Sequence, residues 1–261
     1  MKGKHLVELE RLENKYLLKY YHFLKFAEDE LLLGFKTKDK IKNDWYDKWL
    51  PEDGEKGISD FSTGAKRIVY SLLNSKGIGQ PNSAPIGSDL FFEAEDAFIH
   101  IDLKTVQTRN IKDYNSSIFV GNNQNSYNGK VVVNERERIY EDAHLPTFYT
   151  IDNKIKKPCL TYFITILYEE LSLDILNINI ISMPNGSLYS VYGADVLSQG
   201  KVKFGKKDPK HSTHAKSVRF NWSKTQDFRL LTNAKRIKVA YFNDKMNQDF
   251  KNKLSLIESL I

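Results

Sequence analysis

Two short apolar runs, Cys159 to Leu167 and Ile175 to Met183, constrain this chain most. Both are rich in Ile, Thr, Phe or Tyr, side chains that fit a pleated sheet, and neither approaches the roughly 20 residues needed to span a bilayer. They predict buried strands and exclude membrane insertion. A shorter run, Lys235 to Phe242, predicts another strand of the same kind.

Helical periodicity dominates the N-terminal part. Between residues 4 and 33, Leu6, Leu9, Leu12, Tyr16, Leu17, Tyr20 and Leu24 recur at helical spacing with charged residues between them, which predicts one or two amphipathic helices used for packing. Ile41, Trp45 and Trp49 predict a second helical stretch from Lys38 to Leu50, ended by Pro51, with an acidic loop over 51 to 61. Ser62 is a candidate N-cap for a helix from Thr63 to Ser75, whose Ile68, Leu72 and Leu73 would face a core. Asn243 to Ile261 reads as a closing amphipathic helix. Residues 108 to 130, rich in Asn, Ser, Tyr and Gly, are expected to form a surface loop or a ligand contact.

The chain is therefore expected to be one α/β (α+β) domain over residues 1–261. It would be mainly helical over 1–76, β-rich over 158–242 and helical again over 243–261, without internal repeats. The lone Cys159 and an N-terminus lacking a signal-peptide core predict a reducing, cytoplasmic setting.

Charge is unevenly placed. The whole chain carries +6, yet residues 201 to 224 hold seven lysines and Arg219 against Asp208 alone, so that stretch accounts for +7. A polyanionic partner is implied, met by this one segment.

Chemistry concentrates at residues 87 to 107. Two strands, Ser88 to Glu93 and Ala97 to Gln107, are joined by the polar turn Ala94-Glu95-Asp96 and predict a β-hairpin. On the second strand Phe98, His100, Asp102, Lys104 and Val106 share one face, while Ile99, Ile101 and Leu103 share the other. The hairpin can bring Asp89, at the start of the first strand, beside Asp102. Two converging carboxylates repel and suit a divalent ion, and all-oxygen donors favour Mg²⁺, with Mn²⁺ as a substitute, over zinc. A lysine beside such an ion can orient a water, which fits phosphodiester hydrolysis.

Asp89, twelve intervening residues and then Asp102-Leu103-Lys104, with the strand continuing into Thr105, resembles the PD-(D/E)xK signature of type II restriction endonucleases. The resemblance implies a central mixed β-sheet flanked by helices, metal held by Asp89, Asp102 and the Leu103 carbonyl, and Lys104 positioning the attacking water. It also implies double-stranded DNA as substrate, 5′-phosphate ends and a homodimer, with the N-terminal helices a candidate interface. Ser88 stands where the signature's name has Pro. The acid that such enzymes often add from the preceding helix is missing from residues 63 to 75, leaving Asp60 or Glu55 as candidates.

His100 is expected either to line the cleft or to be hydrogen-bonded within a buried strand, and Gln107 either to orient water or phosphate or simply to end the strand. For DNA contact there are two candidate segments. The first is the basic one, with Lys206, Lys207, Lys210, His211, His214, Lys216 and Arg219, running into a strand over Ser217 to Trp222. The second is the loop of Asn122, Asn123, Gln124 and Asn125, side chains able to read adenine. One cysteine and six scattered histidines offer no zinc spacing, and no GxxxxGK[ST], GxGxxG or GxSxG motif is present, so no nucleotide cofactor is expected. Two other readings compete: a structure-specific, repair or transposon-type nuclease on the same core, and a non-catalytic nucleic-acid-binding protein.

Overall fold

The computed structural model describes residues 2–40, 59–75, 88–121, 129–133, 136–140, 145–170, 172–186, 192, 196–199, 217–225, 228, 230 and 234–260. Five helices are described: α1 (Lys2–Phe26), α2 (Glu28–Lys40), α3 (Ser59–Ser75), α4 (Lys112–Asn115) and α5 (Gln248–Leu260). The strands are β1 (Leu90–Glu93), β2 (Phe98–Gln107), β3 (Ile118–Gly121), β4 (Gly129–Val133), β5 (Arg136–Tyr140), β6 (Phe148–Ile151), β7 (Ile155–Tyr168), β8 (Ile175–Ser182), β9 (Leu197–Gln199), β10 (Ser217–Phe220) and β11 (Ile237–Phe242).

The central sheet runs β1-β2-β7-β8-β11, with β6 also pairing with β7. Its one parallel pair is β2 with β7, in register from Phe98 opposite Cys159 to Gln107 opposite Tyr168. All other pairings in it are antiparallel. Strands covered on both faces read as continuous apolar runs, and every residue of β8 is buried, as are the last ten of β7. The two runs that predicted strands are thus the neighbouring central ones. No helix among the described residues is long and apolar enough to cross a membrane.

Each face of the sheet has its own core. Leu17, Tyr20 and Leu24 of α1, Leu31 and Phe35 of α2, and Ala65, Val69 and Leu73 of α3 pack on Ile99, Ile101 and Leu103 of β2 and on Tyr162, Ile164 and Ile166 of β7. The other face, through Phe163, Leu167, Ile181 and Ile237, packs against Ile118, Val120, Phe220, Trp222 and Leu254. Behind the first core, Arg236 at the entry to β11 pairs with Glu13 of α1 at 2.8 Å and lies 3.5 Å from Glu10. The backbone N–H of Asn185 also donates to Glu13, at 2.7 Å. Burial pushes the Glu13 carboxyl above its ordinary range, with Arg236 working against it.

Several sequence expectations need correction. The third helix begins at Ser59, not Thr63, so residues 59 to 61 are its first turn. Residues 108 to 121 are not loop: a 3₁₀ turn over Thr108–Asn110, α4 and β3 lie there, and β3 joins β10 and β9 in a second sheet. The antiparallel pair β4 and β5 adds two strands the sequence reading did not anticipate. β10 ends at Phe220, and Trp222–Lys224 form a 3₁₀ turn. Residues 41 to 50 lie outside the described residues, as do Asn122, Asn123, Gln124, Asn125, Lys206, Lys207, Lys210, His211, His214 and Lys216.

Candidate active site

The predicted hairpin is present. β1 pairs antiparallel with β2, Leu90 opposite Ile101, and the Ala94 N–H donates to the Ala97 carbonyl at 2.8 Å to close the turn. Asp96 in that turn accepts from Tyr16 and Lys15 of α1, which fixes the hairpin against the helical layer. Asp89 immediately precedes β1, at the level of Asp102. One of its carboxylate oxygens accepts the Leu103 N–H at 2.9 Å, so the side chain is anchored to the backbone between Asp102 and Lys104.

Asp102 is 4% exposed. Its Oδ2 forms an ion pair with Lys104 Nζ but makes no well-directed hydrogen bond. Burial pushes the Asp102 carboxyl up. The Lys104 ammonium opposes this, while the charge of Asp89 reinforces it. Lys104 Nζ also lies 5.4 Å from the centre of the Phe163 ring on β7, which limits where the ammonium can sit. Asp89, Asp102, Leu103 and Lys104 therefore come together.

Two residues the sequence reading missed join them from α3. Lys66 Nζ donates to Asp89 Oδ1 at 2.6 Å, and Tyr70, one turn further on, stands near Asp89. Burial and the neighbouring carboxylates push the Tyr70 hydroxyl up. Lys66 and Tyr70 stand four apart and flank the buried Ala65, Val69 and Leu73, but nothing in the sequence ties that side of the helix to Asp89. Asp60 falls within the first turn of α3, and its side chain is not among those described.

Among the described residues no group of three His, Cys, Asp or Glu side chains forms a metal centre. The donor set still fits a hard divalent ion. A buried carboxylate with an oxygen lacking a good hydrogen bond lies beside a second carboxylate, and the Leu103 carbonyl belongs to the intervening residue.

His100 faces away from solvent at 1% exposed, its Nε2 3.0 Å from the Tyr149 hydroxyl, among Phe91 and Tyr149. Burial lowers its pKa to about 4. It is the hydrogen-bonded core histidine of the two alternatives. Gln107 is buried, opposite Tyr168 in the parallel register of β2 and β7. Arg219 pairs with Asp113 at 2.9 Å, joining β10 to α4.

The fold is shared with restriction endonucleases of known structure. It resembles BglI bound to its DNA recognition sequence, at 17% identity and a TM-score of 0.63 over 91% of this chain and 93% of that one. It also resembles tetrameric SfiI bound to cognate DNA, at 14% identity and a TM-score of 0.58 over 92% and 87%. No curated protein sequence matches. Sheet, hairpin and family matches define a sequence-specific type II restriction endonuclease, a site-specific deoxyribonuclease. More narrowly, the chain belongs to the MwoI family: the N-terminal domain of the type II restriction enzyme MwoI matches residues 5–172 and its central domain residues 175–242.

Proposed function

We propose that this enzyme hydrolyses double-stranded DNA at the hairpin site, with Asp89, Asp102 and the Leu103 carbonyl holding a divalent ion and Lys104 acting on the attacking water. The observation that carries the reading is the meeting of Asp102, 4% exposed, with Lys104 on one strand and with Asp89 from the next. Type II restriction enzymes generally need a divalent metal, and the oxygen donors favour Mg²⁺, with Mn²⁺ able to replace it.

When bound, such an ion supplies positive charge for the phosphate oxygens and lowers the pKa of water. The chain's own residues do the rest. Lys104 Nζ, fixed between Asp102 and the Phe163 ring, donates a hydrogen bond to the water oxygen and orients it towards phosphorus, in line with the leaving 3′ oxygen. Cleavage on that side leaves a 5′-phosphate and a 3′-hydroxyl. Asp89 is kept in place by the Leu103 N–H, which ties the two carboxylates to one short piece of backbone.

DNA contact is proposed for the basic segment with Lys206, Lys207, Lys210, His211, His214, Lys216 and Arg219, and for Asn122 to Asn125. BglI and SfiI are DNA-bound in their solved forms, and SfiI is tetrameric. For this chain a homodimer is proposed, because two-fold symmetry matches a palindromic site. α1 turns Tyr16, Leu17, Tyr20 and Leu24 to the sheet and leaves Leu6 and Val7 about half exposed in its N-terminal turns, which supports those turns as part of the interface.

The test is incubation of the purified protein with long duplex DNA and Mg²⁺. The proposal expects discrete fragments whose 5′ ends accept label from polynucleotide kinase only after phosphatase treatment. Cutting confined to junctions or damaged sites would make the chain a structure-specific nuclease, and binding without cleavage would overturn the catalytic assignment.

A further inference from the structure

Each carboxylate of the site has its own lysine. Asp102 is paired with Lys104, two residues along the same strand, and Asp89 with Lys66 from α3. The four formal charges cancel, so in the absence of an ion the site is already compensated. The two pairs are not equivalent. The Lys104 side chain is 23% exposed and lies over the Phe163 ring, whereas that of Lys66 is 36% exposed at the end of a flexible stem from a separate helix.

Two donors hold Asp89: Lys66 at 2.6 Å on Oδ1 and the Leu103 N–H at 2.9 Å on Oδ2. An incoming divalent cation must take an oxygen from one of them. The Leu103 N–H belongs to a central strand and carries no net charge. Lys66 alone carries positive charge, so it alone is repelled by the cation that it opposes.

We infer that Lys66 is the counterion of the metal position, holding the Asp89 oxygen that a divalent ion takes and thereby setting the metal affinity of the DNA-free protein. The inference rests on Asp89 and Asp102 being the metal-binding pair. Lys66 is thus a positioning residue: it acts on the site through Asp89. Its charge keeps the two aspartates compensated before the ion arrives, and its displacement is part of the cost of binding that ion.

The experiment is a Mn²⁺ titration of the DNA-free protein, with unbound ion followed by electron paramagnetic resonance. Wild type is compared with Lys66→Met, which keeps the aliphatic stem, and with Lys66→Gln in case the first variant folds poorly. Thermal melting verifies that each is folded. Both variants are expected to bind Mn²⁺ about ten-fold more tightly than wild type, the scale of one charge-assisted hydrogen bond. Adding Asp102→Ala to Lys66→Met is expected to abolish that binding. Equal affinity of wild type and variants, within about two-fold, or weaker binding by the variants, would overturn the counterion role while leaving the metal pair intact. Mn²⁺ binding that survives Asp102→Ala would instead place the ion elsewhere and overturn the metal pair itself.

Discussion

Replacing Arg236 with Met isolates the buried charge cluster behind the sheet. Arg236 is 3% exposed, and it faces Glu13, 1% exposed, at 2.8 Å and Glu10, 7% exposed, at 3.5 Å. The methionine fills the volume but strands two carboxylates near each other under α1. Removing one partner of a buried pair costs about 3–5 kcal/mol, which for a domain of this size lowers the melting temperature by roughly 6–20 °C.

The pH dependence gives the sharper signature. Glu13 already has a raised pKa in the fold, chiefly from burial, and losing the Arg236 ammonium raises it further. A carboxyl whose folded pKa lies above its unfolded one contributes favourably below the unfolded pKa, near 4.5, and loses that contribution as pH rises through the folded value. The deficit of Arg236→Met should therefore be largest at pH 8 and shrink towards pH 4.5, read by urea unfolding across that range. A further Glu13→Gln change should recover part of the loss at pH 8. A variant as stable as wild type at pH 8, or a deficit that grows on acidification, would refute the reasoning.

Three other expectations follow from single environments. His100, with its pKa lowered to about 4 by burial, is neutral in the fold, so stability is full above pH 6.5 and falls as pH drops towards 4, by on the order of 3 kcal/mol; denaturant titrations of His100→Phe should show a flatter dependence there. Cys159 is fully buried and its thiol is pushed up, so Ellman's reagent should react slowly with native protein and completely in denaturant, and fast native reaction would contradict its placement. Because Lys66 and Lys104 already compensate Asp89 and Asp102, chelator should shift the melting temperature by no more than about 2 °C in differential scanning fluorimetry; a larger drop would mean that the fold depends on metal.

What the sequence disclosed, and what it hid, divides along sequence distance. The hairpin and the alternation of β2 were legible because turn chemistry and a two-residue period are local signals. Asp89 and Asp102 were paired by counting along that hairpin, and the register places them at one level. Lys66 and Tyr70 were not found: they approach Asp89 across 12 residues outside the described structure and a helix-to-strand contact that no spacing rule sets. The Arg236 to Glu13 pair spans nearly the whole chain, and neither residue differs in sequence from an ordinary surface charge.

β3 escaped for a different reason. Its apolar Ile118, Phe119 and Val120 sit beside an Asn-rich stretch whose composition outweighed three residues in the reading. Only partners far along the chain, β10 and β9, make it a strand. Arg219, one of the residues proposed for DNA contact, also pairs with Asp113, a partner 106 residues away that its own segment does not announce.

The central claim is that Asp102 and Lys104 act chemically on DNA. It is tested most directly by single-turnover cleavage of a duplex carrying one mapped cut site, comparing wild type with Asp102→Ala and Lys104→Ala in saturating Mg²⁺. Folding is checked by circular dichroism and DNA binding is measured in Ca²⁺. Each variant should stay folded and bind DNA, yet cut at least about 10³-fold more slowly. Cleavage by either variant within about ten-fold of wild type would place the chemistry elsewhere on the molecule.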